Sequence, residues 1–129
     1  MEVIEENDLF RIWEEENILC CLYKKPVVDI DIAKKAISSR IRLSHNIPRK
    51  TFMDSSNIRY VSKAAREYYA SEEARYLAAV TATLVTSNIT RVIANFFVNF
   101  SKPKAPFQVF SSKQKAFEWL KSYNIQSEN

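Results

Sequence analysis

The chain has 129 residues, the usual size of one domain, and its hydrophobic and charged fractions of 47% and 26% are ordinary for a soluble globular protein. The formal charge of +4 leans basic, but the cations are scattered among fifteen acidic residues, so we expect no nucleic-acid arm. The chain contains no glycine, which excludes the glycine-rich phosphate cradles of Rossmann and P-loop proteins.

Location and redox state follow from the same composition. No apolar run approaches the roughly 20 residues that span a bilayer, and the first residues lack a basic flank and an apolar core, so we expect a cytoplasmic protein. Cys20 and Cys21 are adjacent, and neighbouring strand residues point to opposite faces, so we expect no disulfide between them.

His45, the single histidine, lacks partners at ligand spacing. We therefore expect no metal site, no cofactor and no histidine-dependent catalysis.

The first third of the chain predicts a hairpin followed by a helix. Residues 8–15 alternate as a strand does, and the continuously apolar run 18–23 is typical of a central strand that is covered on both faces. The short connection between them favours antiparallel pairing. Asp29 or Asp31 then caps a helix that runs to about Ser44. Its expected buried stripe consists of Ile30, Ala33, Ile37 and Ile41.

The middle of the chain repeats strand and helix. Residues 50–54 form a strand, a polar loop follows, and Ser62 is the expected N-cap of the second helix. Ser71 is a second cap or a kink, and the β-branched residues of 78–86 predict another strand.

The last third predicts a helix, a short strand and a closing helix. Ser87 or Asn88 opens a helix with an aromatic face of Phe96, Phe97 and Phe100, which is core, a lipid-like pocket or an interface. Residues 107–110 form the last strand. Ser111 and Gln114 form a capping box for the closing helix, which buries Ala116, Phe117 and Leu120.

These elements predict one α/β domain over 1–129, with a core at about 8–123 and short flexible ends. The order is β-β-α-β-α-β-α-β-α. Because strands alternate with helices after the first hairpin, we expect a mixed, mainly parallel five-stranded sheet with four helices.

Three stretches also carry a family resemblance: residues 51–54 (TFMD), 57–61 (NIRYV) and 109–120 (VFSSKQKAFEWL). Together with the order of elements, they resemble the STAS fold, in particular the small SpoIIAA-like proteins of bacteria, which are distantly similar to CRAL-TRIO lipid-binding domains. The resemblance covers about residues 8–123. It implies a non-enzymatic regulatory or protein-interaction module.

The resemblance also raises the question of whether a phosphorylation switch is present. Anti-sigma-factor antagonists of the wider family are phosphorylated on a serine at the start of the second helix. When Asp54 is laid on the family's strand-end aspartate, Lys63 occupies the phosphoacceptor place and Ser62 precedes it. We therefore expect Ser62 to serve as a helix cap, and the loop to act through static shape and charge.

The predicted partner-binding surface is the loop after the 50–54 strand, because ligands and partners dock beyond the carboxyl ends of parallel strands. Its candidate residues are Asp54, Ser55, Ser56, Asn57, Arg59, Ser62 and Lys63. The partner is another protein or a second copy of the chain. The alternative is a carrier of a small apolar ligand at Phe96, Phe97 and Phe100. An enzyme and a nucleic-acid binder rank below both, because the sequence shows no catalytic constellation and no dense basic run.

Overall fold

A six-stranded mixed β-sheet is the centre of the structure, a computed structural model in which residues 1–86 and 105–125 are described. The described strands are β1 Glu2–Glu6, β2 Phe10–Glu15, β3 Ile18–Tyr23, β4 Val27–Val28, β5 Arg49–Asp54, β6 Tyr60–Val61, β7 Ala78–Leu84 and β8 Phe107–Phe110. The sheet order is β1-β2-β3-β5-β7-β8. The first three strands pair antiparallel, and β3, β5, β7 and β8 pair in parallel. The remaining two strands, β4 and β6, form a separate parallel ribbon.

The predicted mixed, mainly parallel sheet is confirmed, with six strands instead of five. The additional strand is β1, formed by residues that we expected to be a flexible end. It pairs along β2 at the edge of the sheet, with a register shift between Val3 and Glu5. The sequence does not indicate β1 because both of its faces are largely exposed, so no alternation of apolar and polar residues marks it.

The predicted hairpin between β2 and β3 is present and turns through two residues. Glu16 and Asn17 have φ angles of 51° and 64°. Positive φ at both central residues is what a type I′ turn requires, and it matches the twist of the flanking strands. In a chain without glycine, this left-handed backbone is built from residues that have a Cβ atom.

The described residues form four helices: α1 Ile30–Leu43, α2 Lys63–Tyr69, α3 Glu72–Arg75 and α4 Lys113–Lys121. The helix predicted from Ser87 or Asn88 to about residue 100 lies outside the described residues. Asp29 is the N-cap of α1, since its carboxylate accepts from the Ile32 amide at 2.9 Å. Ser71 was predicted to be a second cap or a kink, and it is the N-cap of α3.

The capping box predicted for the closing helix is wrong by one position. The N-cap of α4 is Ser112, whose hydroxyl accepts from the Lys115 amide at 3.3 Å. Gln114 instead donates to Glu118 on the next turn of the helix. The predicted buried face of α4, Ala116, Phe117 and Leu120, is confirmed.

Two core layers lie on opposite faces of the sheet. One layer contains Phe10, Ile12 and Cys21 together with buried residues of α1 and α2. The other contains Trp13, Cys20, Phe52 and Val80 together with the buried face of α4. Because β3 contributes to both layers, its continuously apolar sequence is explained, and the prediction of a strand covered on both faces is confirmed.

The buried stripe of α1 differs from the prediction. Ala33 and Ile37 are buried, but Ile30 and Ile41 are only half-buried, and Ala36 and Arg40 are buried in addition. Arg40 is 4% exposed. An arginine was not expected inside, because a helical apolar stripe is recognised from apolar residues alone.

Candidate partner-binding surface

The predicted loop begins with a turn organised by Asp54 at the carboxyl end of β5. One carboxylate oxygen of Asp54 accepts from the backbone amide of Ser56 at 3.0 Å and from its hydroxyl at 2.6 Å. An aspartate that bonds to the backbone two residues on is a common way of turning a chain. Asp54 and Ser56 therefore shape the loop, and both are half-buried.

Ser55 lies inside the protein and not on the predicted surface. Its amide donates to the Leu84 carbonyl at 2.9 Å, and its hydroxyl is 3.1 Å from that of Thr83. It was predicted to bind a partner, but burial at the edge of β7 makes it an anchor of the loop instead.

The tip of the loop, Asn57 and Ile58, is fixed by two hydrogen bonds. The side-chain amide of Asn57 donates to the carbonyl of Tyr23 at 3.3 Å, and the Ile58 amide donates to the Ser55 carbonyl at 3.1 Å. Ile58 is buried among the core residues of β2, β3 and α1. The loop is thus fixed to the end of β3 as well as to β7, and Asn57 keeps an exposed side chain at its tip.

The second half of the loop pairs with the segment before α1. The Pro26 carbonyl accepts from the amides of Arg59 and Tyr60 at 2.7 and 3.0 Å, which starts the parallel ribbon of β4 and β6. Val27 lies opposite Tyr60, and both are about half exposed, at 49% and 50%. The next pair of the ribbon, Val28 and Val61, is buried.

The ribbon leads directly into two helix starts. Val28 is followed by the N-cap Asp29 of α1, and Val61 is followed by the N-cap Ser62 of α2. The Ser62 hydroxyl accepts from the Ala65 amide at 3.1 Å, so its predicted role as a cap is confirmed. Lys63, the first residue of α2, is exposed.

We call the exposed outer side of this region the ribbon surface. It consists of the side chains of Val27, Asn57, Arg59, Tyr60 and Lys63. Of the seven residues predicted to form the site, Asn57, Arg59 and Lys63 are exposed here, while Asp54, Ser55, Ser56 and Ser62 shape and hold it. The sequence interpretation missed Val27 and Tyr60, for which the β-branched and aromatic pairs VV and YV were the available signal.

Ionisable groups of the core, Tyr23 and Cys21 buried and Tyr69 partly buried, lie beneath the ribbon surface. The hydroxyl of Tyr69 donates to that of Tyr23 at 2.6 Å, and burial raises the pKa of both phenols. Burial also raises the pKa of the Cys21 thiol to about 12. These groups therefore stay protonated near neutral pH and form part of the core.

The predicted apolar site, Phe96, Phe97 and Phe100, lies outside the described residues. A different cavity of about 400 Å³ opens at the amino ends of β7 and β8. Its described lining consists of Glu72, Arg75, Tyr76, Ala78, Thr81, Ala105, Pro106 and Phe107. The sequence could not indicate this cavity, because its walls join residues 72–81 to residues 105–107, which are distant along the chain.

Within residues 1–86 and 105–125, no group of three or more histidine, cysteine, aspartate or glutamate side chains is placed to hold a metal ion. Nor is any helix of these residues long and apolar enough to cross a membrane.

Comparison with known families assigns the chain to one of them. Residues 12–124 match the model described as a domain of unknown function, DUF7793. The chain belongs to the DUF7793 family. This DUF7793 chain matches none of the curated proteins compared with it.

The fold of the DUF7793 chain is shared with a solved structure. An uncharacterised protein of the DUF3478 family with a SpoIIAA-like fold, from Shewanella loihica PV-4, superimposes with a TM-score of 0.65 at 11% identity. The match covers 91% of this chain and 98% of that one. A protein of unknown function from Arthrobacter sp. FB24 has a TM-score of 0.33 at 18% identity, with 87% and 99% covered. The first likeness confirms the SpoIIAA-like fold expected from residues 51–61 and 109–120.

Proposed function

We propose that this protein is a non-enzymatic regulatory or protein-interaction module that binds another protein through the ribbon surface. The observation that carries the proposal is a pair of half-exposed apolar side chains, Val27 of β4 and Tyr60 of β6, on a ribbon that backbone hydrogen bonds hold in place. Tyrosine and arginine are enriched where proteins bind one another, and Arg59 lies directly beside Tyr60.

Rigidity of the loop supports the same function. Association costs free energy for every side chain and loop that must be ordered on binding. Here Asp54, Ser55 and Asn57 fix the loop through contacts with its own backbone, β7 and β3. The backbone of the loop is therefore ordered before a partner arrives, so this part of the cost of binding is already met by the fold.

The surface works through fixed shape and charge in this proposal, without phosphorylation. Ser62 is engaged as the cap of α2, and the residue after it is Lys63. Intact mass of protein purified from its native cell tests this point. A mass increase of one phosphate that is lost in Ser62→Ala would contradict it.

Affinity capture and crosslinking in the native cell test the proposal. We expect the intact protein to recover a partner and Tyr60→Ser to lose it. Tyr76→Ser is the matched control, because Tyr76 is equally exposed, at 52%, but lies beside the cavity, away from the ribbon surface. A strictly monomeric protein that recovers no partner, or equal recovery by Tyr60→Ser and the intact protein, would count against the function.

A second candidate, a carrier of a small apolar ligand, is favoured by the cavity at the amino ends of β7 and β8. Its volume of about 400 Å³ is in the range of ligand sites, and Tyr76, Pro106 and Phe107 give it apolar walls. Native mass spectrometry of gently purified protein tests this function. We expect a co-purifying small molecule that Ala78→Trp excludes, and protein that carries no ligand in any preparation would contradict it.

A further inference from the structure

We infer that the ribbon surface binds an extended acidic segment of another protein, in which two carboxylates flank one apolar side chain. The inference rests on the proposed interaction function and specifies the chemistry of the partner. It is carried by three features: an apolar centre, cations without carboxylate partners, and the spacing between those cations.

The apolar centre is formed by Val27 and Tyr60. Because they are directly opposite each other in the parallel ribbon, their side chains lie on the same face. Their neighbours Val28 and Val61 point to the core, so the face with Val27 and Tyr60 is the outer one. An apolar side chain of a partner that covers this pair removes apolar area from water on both molecules.

The cations of the ribbon surface are Arg59 and Lys63, and a third, Lys25, is exposed two residues before Val27. Across residues 1–86 and 105–125, none of the three has a carboxylate within ion-pair distance. Six other basic side chains do pair with glutamates, namely Arg11, Lys24, Arg42, Arg49, Lys113 and Lys121. Among the described residues, Lys35 and Lys115 also have no carboxylate within ion-pair distance, so what marks the ribbon surface is that such cations lie beside an exposed apolar pair.

Of the nearby carboxylates, two are used for local structure, and Glu67, one helical turn after Lys63 on α2, is exposed but not within ion-pair distance of it. Asp29 accepts from the Ile32 amide as the cap of α1, and Asp54 accepts from Ser56 in the turn. The partner's carboxylates therefore meet cations and not an existing ion pair. This complementarity favours an acidic partner and disfavours a basic one.

The spacing of the cations sets the pattern of the partner. Arg59 and Lys63 bracket the ribbon and are four residues apart, which at about 3.3 Å per residue is at most about 13 Å. An extended five-residue segment has the same upper limit of length and places residues i, i+2 and i+4 on one face, so it is long enough to reach from Arg59 to Lys63. Acidic side chains at i and i+4 then reach the two cations, while an apolar side chain at i+2 covers Val27 and Tyr60.

A second copy of this chain is the less favoured occupant. Glu2, Ile4 and Glu6 show the same pattern, but they belong to β1, where Glu6 already pairs with Lys24 and Arg11. Use of β1 would break those ion pairs. Light scattering is therefore part of the test, and a dimer that Glu2→Lys abolishes would assign the surface to a second copy and overturn the inference.

Fluorescence anisotropy with synthetic peptides tests the charge and the pattern. The probe is a short labelled peptide with Glu-Ser-Leu-Ser-Glu at its centre, and the controls carry lysine at both glutamates or serine at the leucine. We expect the acidic peptide to bind at least about tenfold more tightly than either control, and more weakly at about 300 mM than at about 50 mM NaCl. Equal binding of the acidic and basic peptides, or no binding of the acidic one, would overturn the inference.

Charge reversal on the protein provides the matched control. The double variant Arg59→Glu/Lys63→Glu should weaken binding of the acidic peptide by about tenfold or more. The double variant Lys35→Glu/Lys115→Glu makes the same change of net charge at exposed positions on α1 and α4, and it should leave binding nearly unchanged. Equal loss in both variants would show a dependence on net charge alone and would contradict a site.

The same variants separate this inference from the proposed function. If Arg59→Glu/Lys63→Glu still recovers a cellular partner that Tyr60→Ser loses, the interaction function stands and the acidic partner is wrong. If Tyr60→Ser also recovers that partner, the ribbon surface itself is wrong.

Discussion

The burial of Arg40 could not be predicted from the sequence. One terminal nitrogen donates to the Ala74 carbonyl at 2.8 Å, and the other, Nη1, has no hydrogen-bond partner among the described residues. Burial lowers the pKa of this guanidinium. Its partner is 34 residues away on α3, so the local pattern of α1 contains no signal for it. The hydrogen bond to Ala74 offsets part of the cost of burying this guanidinium, which lets Arg40 continue the buried face of α1.

The pair of buried phenols below the ribbon surface gives a prediction for a single hydroxyl. Tyr69→Phe removes the donor to Tyr23 and leaves that fully buried hydroxyl without this partner. We expect the free energy of unfolding to fall by about 1–2 kcal/mol, measured by urea denaturation. Tyr60→Phe is the control, because the Tyr60 side chain is half exposed and its stability should not change. Equal stability of the two variants would show that the bond between the phenols contributes nothing.

At the scale of single elements, the start of α4 depends on more than local sequence. Two serines precede the helix, and the capping-box pattern selects Ser111 with Gln114. The carbonyl of Phe110 is still bound to the Val85 amide at 2.9 Å, so β8 stays in the sheet through that residue. Ser111 makes the bend and Ser112 becomes the cap. The pairing of β8 in the sheet thus determines where the helix starts, and a capping rule based on the local sequence does not include that pairing.

These two serines make a direct test of the cap. Ser112→Ala removes the acceptor for the Lys115 amide and should lower the free energy of unfolding by about 1 kcal/mol. Ser111→Ala, an exposed neighbour, should leave it nearly unchanged. Thermal or urea unfolding of both variants measures the difference, and a larger cost at Ser111 would restore the capping box expected from sequence.

The start of α2 gives a second prediction, in which stability and binding separate. Ser62→Ala loses the bond from the Ala65 amide and should cost about 1 kcal/mol of unfolding free energy. The variant should still capture a partner, because Ser62 is half-buried and supports the ribbon surface but is not one of its exposed residues. Urea denaturation and affinity capture are both needed. Lost capture with unchanged stability would point to a switch at this serine.

The β4–β6 ribbon is the element that sequence interpretation could not supply. Each strand has two residues, too few to show a period of two, and their pairing joins positions 33 residues apart. The loop remains a predicted binding site, and four of its seven predicted residues shape and hold it instead of forming its exposed side. Which loop side chains face outward was decided by contacts with β3, β7 and β4.

At the scale of the whole molecule, most of the described architecture could be predicted. Long elements such as β3 and α1 bury apolar faces, so their patterns are strong, and the alternation of strands and helices then predicts a mainly parallel sheet with right-handed crossovers. The edge strand β1 and the short helix α3 were harder to predict, since neither buries enough side chains to produce a periodic pattern of apolar residues.

The buried thiols predict how stability of the whole molecule depends on pH. Burial raises the pKa of Cys20 and Cys21 above their ordinary value of about 9, so in the folded protein both remain protonated when the unfolded chain has begun to ionise. The unfolded state then binds fewer protons than the folded state, and stability falls as pH rises. We expect a loss of about 1 kcal/mol per thiol between pH 8 and about pH 10.

Urea unfolding in the presence of a reductant at these two pH values measures this loss. The double variant Cys20→Ala/Cys21→Ala should show a smaller decrease, because it has no thiols to ionise on unfolding. The same decrease in the variant and in the intact protein would assign the alkaline sensitivity to other groups, such as the buried phenols of Tyr23 and Tyr69.

The two adjacent cysteines of β3 have a practical consequence, because each belongs to a different core layer. Cys20 packs with Phe52 and the α4 side of the sheet, and Cys21 packs with α1 and α2. A thiol reagent can reach either sulfur only when its own layer opens. In the variant Cys20→Ala the remaining thiol of Cys21 reports on opening of the layer with α1 and α2, and in Cys21→Ala the thiol of Cys20 reports on the α4 layer. Comparing the two labelling rates with and without a partner shows which layer opens more readily on binding.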